Sequence, residues 1–150
     1  MRFKYSISGI IIIFFSSCYS LKPESNVKQG LSGYIYAIRG NQMPGPGRPQ
    51  SKGRGVSRYL LIYEPTTIKS ARGDRPIFTH IKTRLIARAK SDSTGYYAIK
   101  LPVGKYSVFI GEGKNLFAAE SDANGVINPI EVTDKTVIHK DFTLNANASY

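Results

Sequence analysis

From Leu31 onward, apolar and polar positions alternate with a period of two, and no window of comparable length holds the 3.6-residue repeat of an amphipathic helix. The chain therefore reads as all-β. Its longest alternating run, IFTHIKTRLIARA from Ile77 to Ala89, predicts one strand with two unlike faces. Ile77, Thr79, Ile81, Thr83, Leu85, Ala87 and Ala89 share the drier face, and Phe78, His80, Lys82, Arg84, Ile86 and Arg88 the basic one. YYAIKL (Tyr96 to Leu101) and YSVFI (Tyr106 to Ile110) form a second pair, joined by PVGK, a Pro and Gly bend of hairpin length. Tyr97, Ile99 and Leu101 are placed to face Tyr106, Val108 and Ile110 across the core. Further strands are expected at Leu31 to Arg39, Val56 to Tyr63, Val126 to Val132 and Val137 to Leu144, each bounded by Gly, Pro, Asn or Asp. About seven strands in this length predict a sandwich.

Two segments break the alternation. Gly40 to Gly55, GNQMPGPGRPQSKGRG, is a Gly/Pro-rich basic loop, and Glu64 to Pro76, EPTTIKSARGDRP, reads as a polar insertion between strands. The acidic turns SDSTG at Ser91 and SDANG at Ser121 lack the alternating carboxylates and closing Glu of a calcium loop, so both are expected to be β-turns. The RGD tripeptide, Arg72 to Asp74, is short enough to arise by chance and is read as a solvated turn.

The first 30 residues follow other rules. Arg2 and Lys4 precede an apolar stretch from Ile7 to Phe15, the pattern of an export signal and about half the roughly 20 residues that a membrane-spanning helix needs. Ser16 and Ser17 then lead into Cys18, the only cysteine in the chain. The order apolar, small, small, Cys resembles a bacterial lipobox, with Phe15 at a position where many carry Leu. The resemblance implies a diacylglycerol on the Cys18 sulfur and cleavage before it, and two or more acyl chains hold a protein at a membrane stably where one does not. Cleavage by the ordinary signal peptidase and a buried structural cysteine are the alternatives. Residues 1–17 are thus the expected signal peptide, 18–30 a flexible tether and 31–146 one domain. Tyr19 and Ser20 stand where inner-membrane-retained lipoproteins commonly carry Asp, which favours the outer membrane of a Gram-negative bacterium.

The opening strand LSGYIY, the MPGPGRP loop and SDSTGYYAIKLPVGKYSVFI together resemble the carboxypeptidase regulatory-like domain. Asp92, Gly95, Tyr97, Leu101, Pro102, Gly104, Tyr106 and Val108 carry the resemblance, which spans about Leu31 to Leu144. It implies a Greek-key, transthyretin-like β-sandwich, a folding or binding module with no catalysis of its own and no cofactor. The long basic loop before Val56 and the insertion after Glu64 depart from that family's pattern.

Charge changes the picture most. The formal charge is +11, and removing residues 1–17 takes two cations and no acid, leaving +9. Arg48, Lys52, Arg54 and Arg58 cluster around the Gly/Pro loop, and Lys82, Arg84 and Arg88 line one expected strand face, so these seven are the candidate binding residues for an anionic ligand. The aromatic-basic motifs of RNA binders are absent, and an exported lipoprotein rarely meets nucleic acid. The expected partners are the membrane through its anchor and an anionic glycan, lipid head group or envelope protein. A merely solvated basic surface has the same composition, so charge alone leaves both readings open. No G-x-S-x-G elbow occurs, and His80 and His139 fall on polar strand faces, which gives neither a nucleophile nor a metal site. The alternative function is a small hydrolase on the same fold, which needs His and Arg converging at one end of the sandwich.

Overall fold

The computed structural model describes residues 26–38, 40–41, 52–145 and 148–149. The expected signal peptide, Cys18, much of the tether, Arg39, Arg48 and the last residue of the expected domain lie outside the described residues.

The chain forms two β-sheets packed face to face. Among the described residues its strands are β1 (Gly30–Ala37), β2 (Gly40–Asn41), β3 (Arg54–Gly55), β4 (Tyr59–Tyr63), β5 (Ala71–Asp74), β6 (Ile77–Ile81), β7 (Leu85–Lys90), β8 (Tyr96–Lys100), β9 (Gly104–Glu112), β10 (Asn115–Phe117), β11 (Pro129–Val132), β12 (Val137–His139), β13 (Phe142–Leu144) and β14 (Ala148–Ser149). The all-β sandwich expected from the alternation is the fold observed.

The smaller sheet is built on β1. Strands β12 and β13 run parallel to it along its length, while β8 and β3 pair with it antiparallel. The larger sheet runs β5-β6-β10-β9-β4-β7, with β11 also on β9, and all its pairings are antiparallel. Strands β2 and β14 pair separately. Between the sheets lies the main core, where Leu31, Ile35, Tyr97, Ile99 and Leu101 meet Leu60, Ile62, Tyr106, Val108 and Ile110. Sequence alternation placed Tyr97, Ile99 and Leu101 opposite Tyr106, Val108 and Ile110 correctly.

A second core lies on the outer face of the larger sheet. Phe78, Ile81, Phe109, Ala118 and Ile127 are buried there, with Phe109 edge-on to Phe78 at 5.8 Å and to Tyr63 at 5.5 Å. The covering chain is stitched down by Thr66, whose N–H donates to Ser107 Oγ at 2.9 Å and whose carbonyl accepts from Ile127 N–H at 2.8 Å.

Several expectations need correction. The run Ile77 to Ala89 is two strands, because β6 pairs with β5 and β10 near one edge of the sheet whereas β7 pairs with β4 at the other. Register shifts opposite Thr79 and at Ile86 break the alternation within it, so Phe78 is buried in the second core while Thr79 and Leu85 are exposed. The bend PVGK does not close a hairpin: it carries the chain from β8 in one sheet to β9 in the other. The Glu64 to Pro76 segment is not strandless, since it contains a 3-10 turn at Ile68–Ser70 and the edge strand β5. Strand β10 was not expected. It follows β9 through a two-residue turn at Gly113 and Lys114.

The remaining long runs are also shorter than their patterns. Val126 and Ile127 make only isolated bridges before β11, and Lys140 and Asp141 interrupt the run from Val137 to Leu144. At that interruption the Lys140 carbonyl sits against Gly33, where a Cβ would approach it to 2.0 Å. The Tyr97 hydroxyl donates to the same carbonyl, and burial raises its pKa far above the ordinary phenol value.

The two acidic turns are β-turns of one design. Asp92 Oδ1 accepts from Thr94 N–H at 2.8 Å and Tyr96 N–H at 3.0 Å, and Asp122 Oδ1 accepts from Asn124 N–H at 2.9 Å and Val126 N–H at 2.8 Å. Gly95 and Gly125 occupy equivalent positions at φ of 89° and 76°. Their surroundings differ. A Cβ on Gly95 would come within 2.4 Å of the Ile35 carbonyl, whereas one on Gly125 would meet nothing within 4 Å.

Gly125→Ala is therefore expected to cost about 1–2 kcal/mol through its backbone conformation alone. Gly95→Ala should cost roughly 1–3 kcal/mol more, because β1 must also shift. Denaturant melts of the two variants compare them directly. Separately, the hydrogen bond from the Thr94 hydroxyl, helped by the turn's N–H groups, holds the Asp92 carboxyl below its usual pKa of 3.8. A carboxylate with a depressed folded pKa stabilises the fold above the unfolded value and loses that contribution as pH falls through the folded one. Stability should thus drop as pH falls below about 4, with a smaller drop for Asp92→Asn in thermal melts across that range.

Candidate functional site

Strands β4 and β7 divide their residues between two environments. Leu60 and Ile62 face the main core opposite Ala89 and Ala87, so Tyr59 and Leu61 must face outward opposite Lys90 and Arg88. Arg88 Cζ lies 4.9 Å from the centre of the Tyr59 ring and Lys90 Nζ lies 5.6 Å from it. Both distances suit the attraction of a cation to an aromatic face. Tyr59 is 45% exposed, and Leu85 on β7 is 46% exposed. On its other side Tyr59 is paired with Gly111 of β9, which has no side chain; a Cβ there would meet Leu61 Cδ1 and Tyr59 Cβ at 3.5 Å. Among the described residues no carboxylate lies within 4.0 Å of the Arg88 or Lys90 charge.

The other candidate cations are elsewhere. Arg84 sits in the connection before β7, and its Nη2 and Nε reach the same Glu64 oxygen at 2.8 and 2.9 Å. Lys82 is exposed in that connection rather than on a strand. Arg58 turns towards Glu112, with its Nη2 at 3.8 Å from Oε1, while Glu112 Oε2 is buried without a hydrogen-bond partner. Arg54 is exposed on β3 opposite Ala37, Lys52 is exposed just before it, and Arg48 is outside the described residues. The expected single basic strand face therefore does not exist. Arg88 alone of the seven stands on the Tyr59 face, where Tyr59 and Lys90 join it. Lys90 continues the i, i+2 spacing from Arg88, a signal the sequence carried, but only strand pairing shows that Tyr59 of β4 lies beside them, opposite Lys90.

The opposite outer face carries an aromatic row on the smaller sheet. Tyr34 stacks on Tyr36 at 5.9 Å and meets Tyr96 edge-on at 5.4 Å. Burial first, then the charge of Asp141, raises the Tyr36 pKa above its ordinary value. Beside this row Ser32 Oγ and His139 Nδ1 share a hydrogen bond of 2.7 Å. A serine beside a histidine is the first requirement of a nucleophilic pair. Ser32 is only 1% exposed, however, and the bond ties β12 to β1. His80 lies on the other sheet, exposed on β6. Among the described residues no three His, Cys, Asp or Glu side chains converge as metal ligands.

Comparison with protein-family models, curated proteins and solved structures finds no match to this chain. The geometry itself must carry the functional reading.

The two bridged arginines separate structural cations from free ones. Arg58→Ala leaves the half-desolvated Glu112 carboxylate without a counter-charge and should cost about 1–3 kcal/mol. Arg84→Ala removes a bridge from a solvated surface and should cost no more than about 1 kcal/mol. Urea unfolding of both variants tests the contrast.

Proposed function

We propose that this chain is a lipid-anchored, non-catalytic β-sandwich of the bacterial cell envelope, a binding or assembly module for an anionic glycan, lipid head group or envelope protein. The observation that carries this reading is the exposed Tyr59 with Arg88 and Lys90 beside it, two cations that no carboxylate of the described residues neutralises. A charge left unpaired on a rigid sheet face attracts an anion at no cost in broken ion pairs. The surplus of +9 after removal of residues 1–17 adds long-range attraction to the same effect. The apolar stretch from Ile7 to Phe15, followed by Ser16, Ser17 and Cys18, supports the anchor, and the outer membrane is its proposed location. The SDSTGYYAIKLPVGKYSVFI segment supports placing the domain with the transthyretin-like carboxypeptidase regulatory-like sandwiches: Asp92 and Gly95 shape one turn, and Tyr97 and Tyr106 fill the core. The observation nearest to the hydrolase alternative is the Ser32–His139 pair, whose hydroxyl a substrate would have to reach through a buried position.

Two measurements test the reading. Cys18→Ala should move the protein out of the membrane fraction, and an unchanged fractionation pattern defeats the anchor. Binding of the full chain to vesicles rich in anionic lipid or to an acidic polymer should weaken strongly between about 0.05 and 0.5 M salt, since exposed charges are screened beyond roughly 10 Å at 0.1 M. Binding indifferent to salt defeats the electrostatic partner.

A further inference from the structure

The geometry points to a carboxylated polysaccharide as the occupant of the Tyr59 face, an inference that rests on the anionic-partner reading above and names its chemistry. One sugar ring lies over Gly111 with its C–H face against Tyr59 and Leu61, and the carboxylate of a neighbouring sugar pairs with Arg88 and Lys90.

Three features favour this occupant. The first is charge complementarity: two unneutralised cations side by side on β7, one of them a guanidinium whose planar fork matches a carboxylate. The second is the glycine opposite the aromatic ring. The row Lys90, Tyr59, Gly111 crosses three adjacent strands and the following neighbour on β10 is Leu116, so the glycine stands between Tyr59 and Leu116, with Leu61 Cδ1 3.5 Å from where its Cβ would be. The electron-rich face of an aromatic ring attracts polarised C–H groups, which a sugar ring presents and a bare phosphate does not. The third is span. With strands about 4.8 Å apart, cations and glycine lie roughly 10 Å from one another across Tyr59, more than one sugar covers and suited to consecutive residues of a polymer. The site lies on regular strands, so these groups are held in place before a ligand arrives.

Gly111 supplies a variant that changes shape without changing charge. Its backbone is outside the left-handed region and a Cβ would rest in ordinary contact with Leu61 and Tyr59 at 3.5 Å, so Gly111→Val adds bulk beside Tyr59 where the backbone accepts a β-branched side chain. The experiment titrates the full chain with oligogalacturonate, with the same oligomer methyl-esterified, and with polyphosphate, by calorimetry at low salt. Oligogalacturonate is expected to bind most tightly, with the ester at least about tenfold weaker. Gly111→Val should weaken oligogalacturonate about tenfold and leave polyphosphate unchanged. Tyr59→Ala, at a half-exposed position, should repeat the Gly111→Val result if the valine disturbs folding. Arg88→Ala with Lys90→Ala should weaken both anions. A chain that holds polyphosphate and anionic vesicles but ignores Gly111→Val and Tyr59→Ala keeps the anionic-partner reading and loses this one. Equal affinity for the methyl ester, or for single-stranded DNA, overturns it as well.

Discussion

Strand β9 is dry on both faces, and the arrangement of the larger sheet follows from keeping it so. Val108 and Ile110 point into the main core, Phe109 points the opposite way, and all three are fully buried. A strand of this kind needs a layer on each side. The smaller sheet supplies one. The other is supplied by chain around Thr66 and Ala118 to Ile127, fastened through Thr66 to Ser107 on β9 itself. Burying Phe109 alone contributes roughly 1.5–3 kcal/mol, which helps explain why a polar-looking insertion is held in regular structure.

That second layer stops short of the far edge of the sheet, and the candidate site occupies the uncovered part. Tyr63 packs under the cover against Phe109, whereas Tyr59, two pairs along the same strand, stands in solvent. The same strand therefore uses one tyrosine for packing and another for display. Burial raises the Tyr63 pKa, as expected for a phenol drawn into the core's margin.

The cations divide in the same manner. Arg58 and Arg84 answer carboxylates of this chain, and among the described residues Arg88 and Lys90 meet a ring and no carboxylate. Residue type does not distinguish the two groups, because a guanidinium serves equally as half of a bridge or as a free anion receptor. Position decides it: Arg84 sits in the connection before β7 beside Glu64, while Arg88 stands in the sheet opposite Leu61.

Period-two alternation, turn chemistry and the Asp-x-x-Gly spacing determined the all-β class, the facing of Tyr97, Ile99 and Leu101 against Tyr106, Val108 and Ile110, and the β-turns at Asp92 and Asp122, because each depends on residues a few positions apart. The division of Ile77 to Ala89 between distant parts of one sheet, the crossing made by PVGK and the second core around Phe109 were decided by tertiary structure. Alternation says which residues share a face but not which strand lies alongside, and a single register shift reverses even the faces. The site shows both limits at once: Arg88 was legible as an outward cation, but its aromatic neighbour and the glycine beyond it belong to strands that pairing alone brings together.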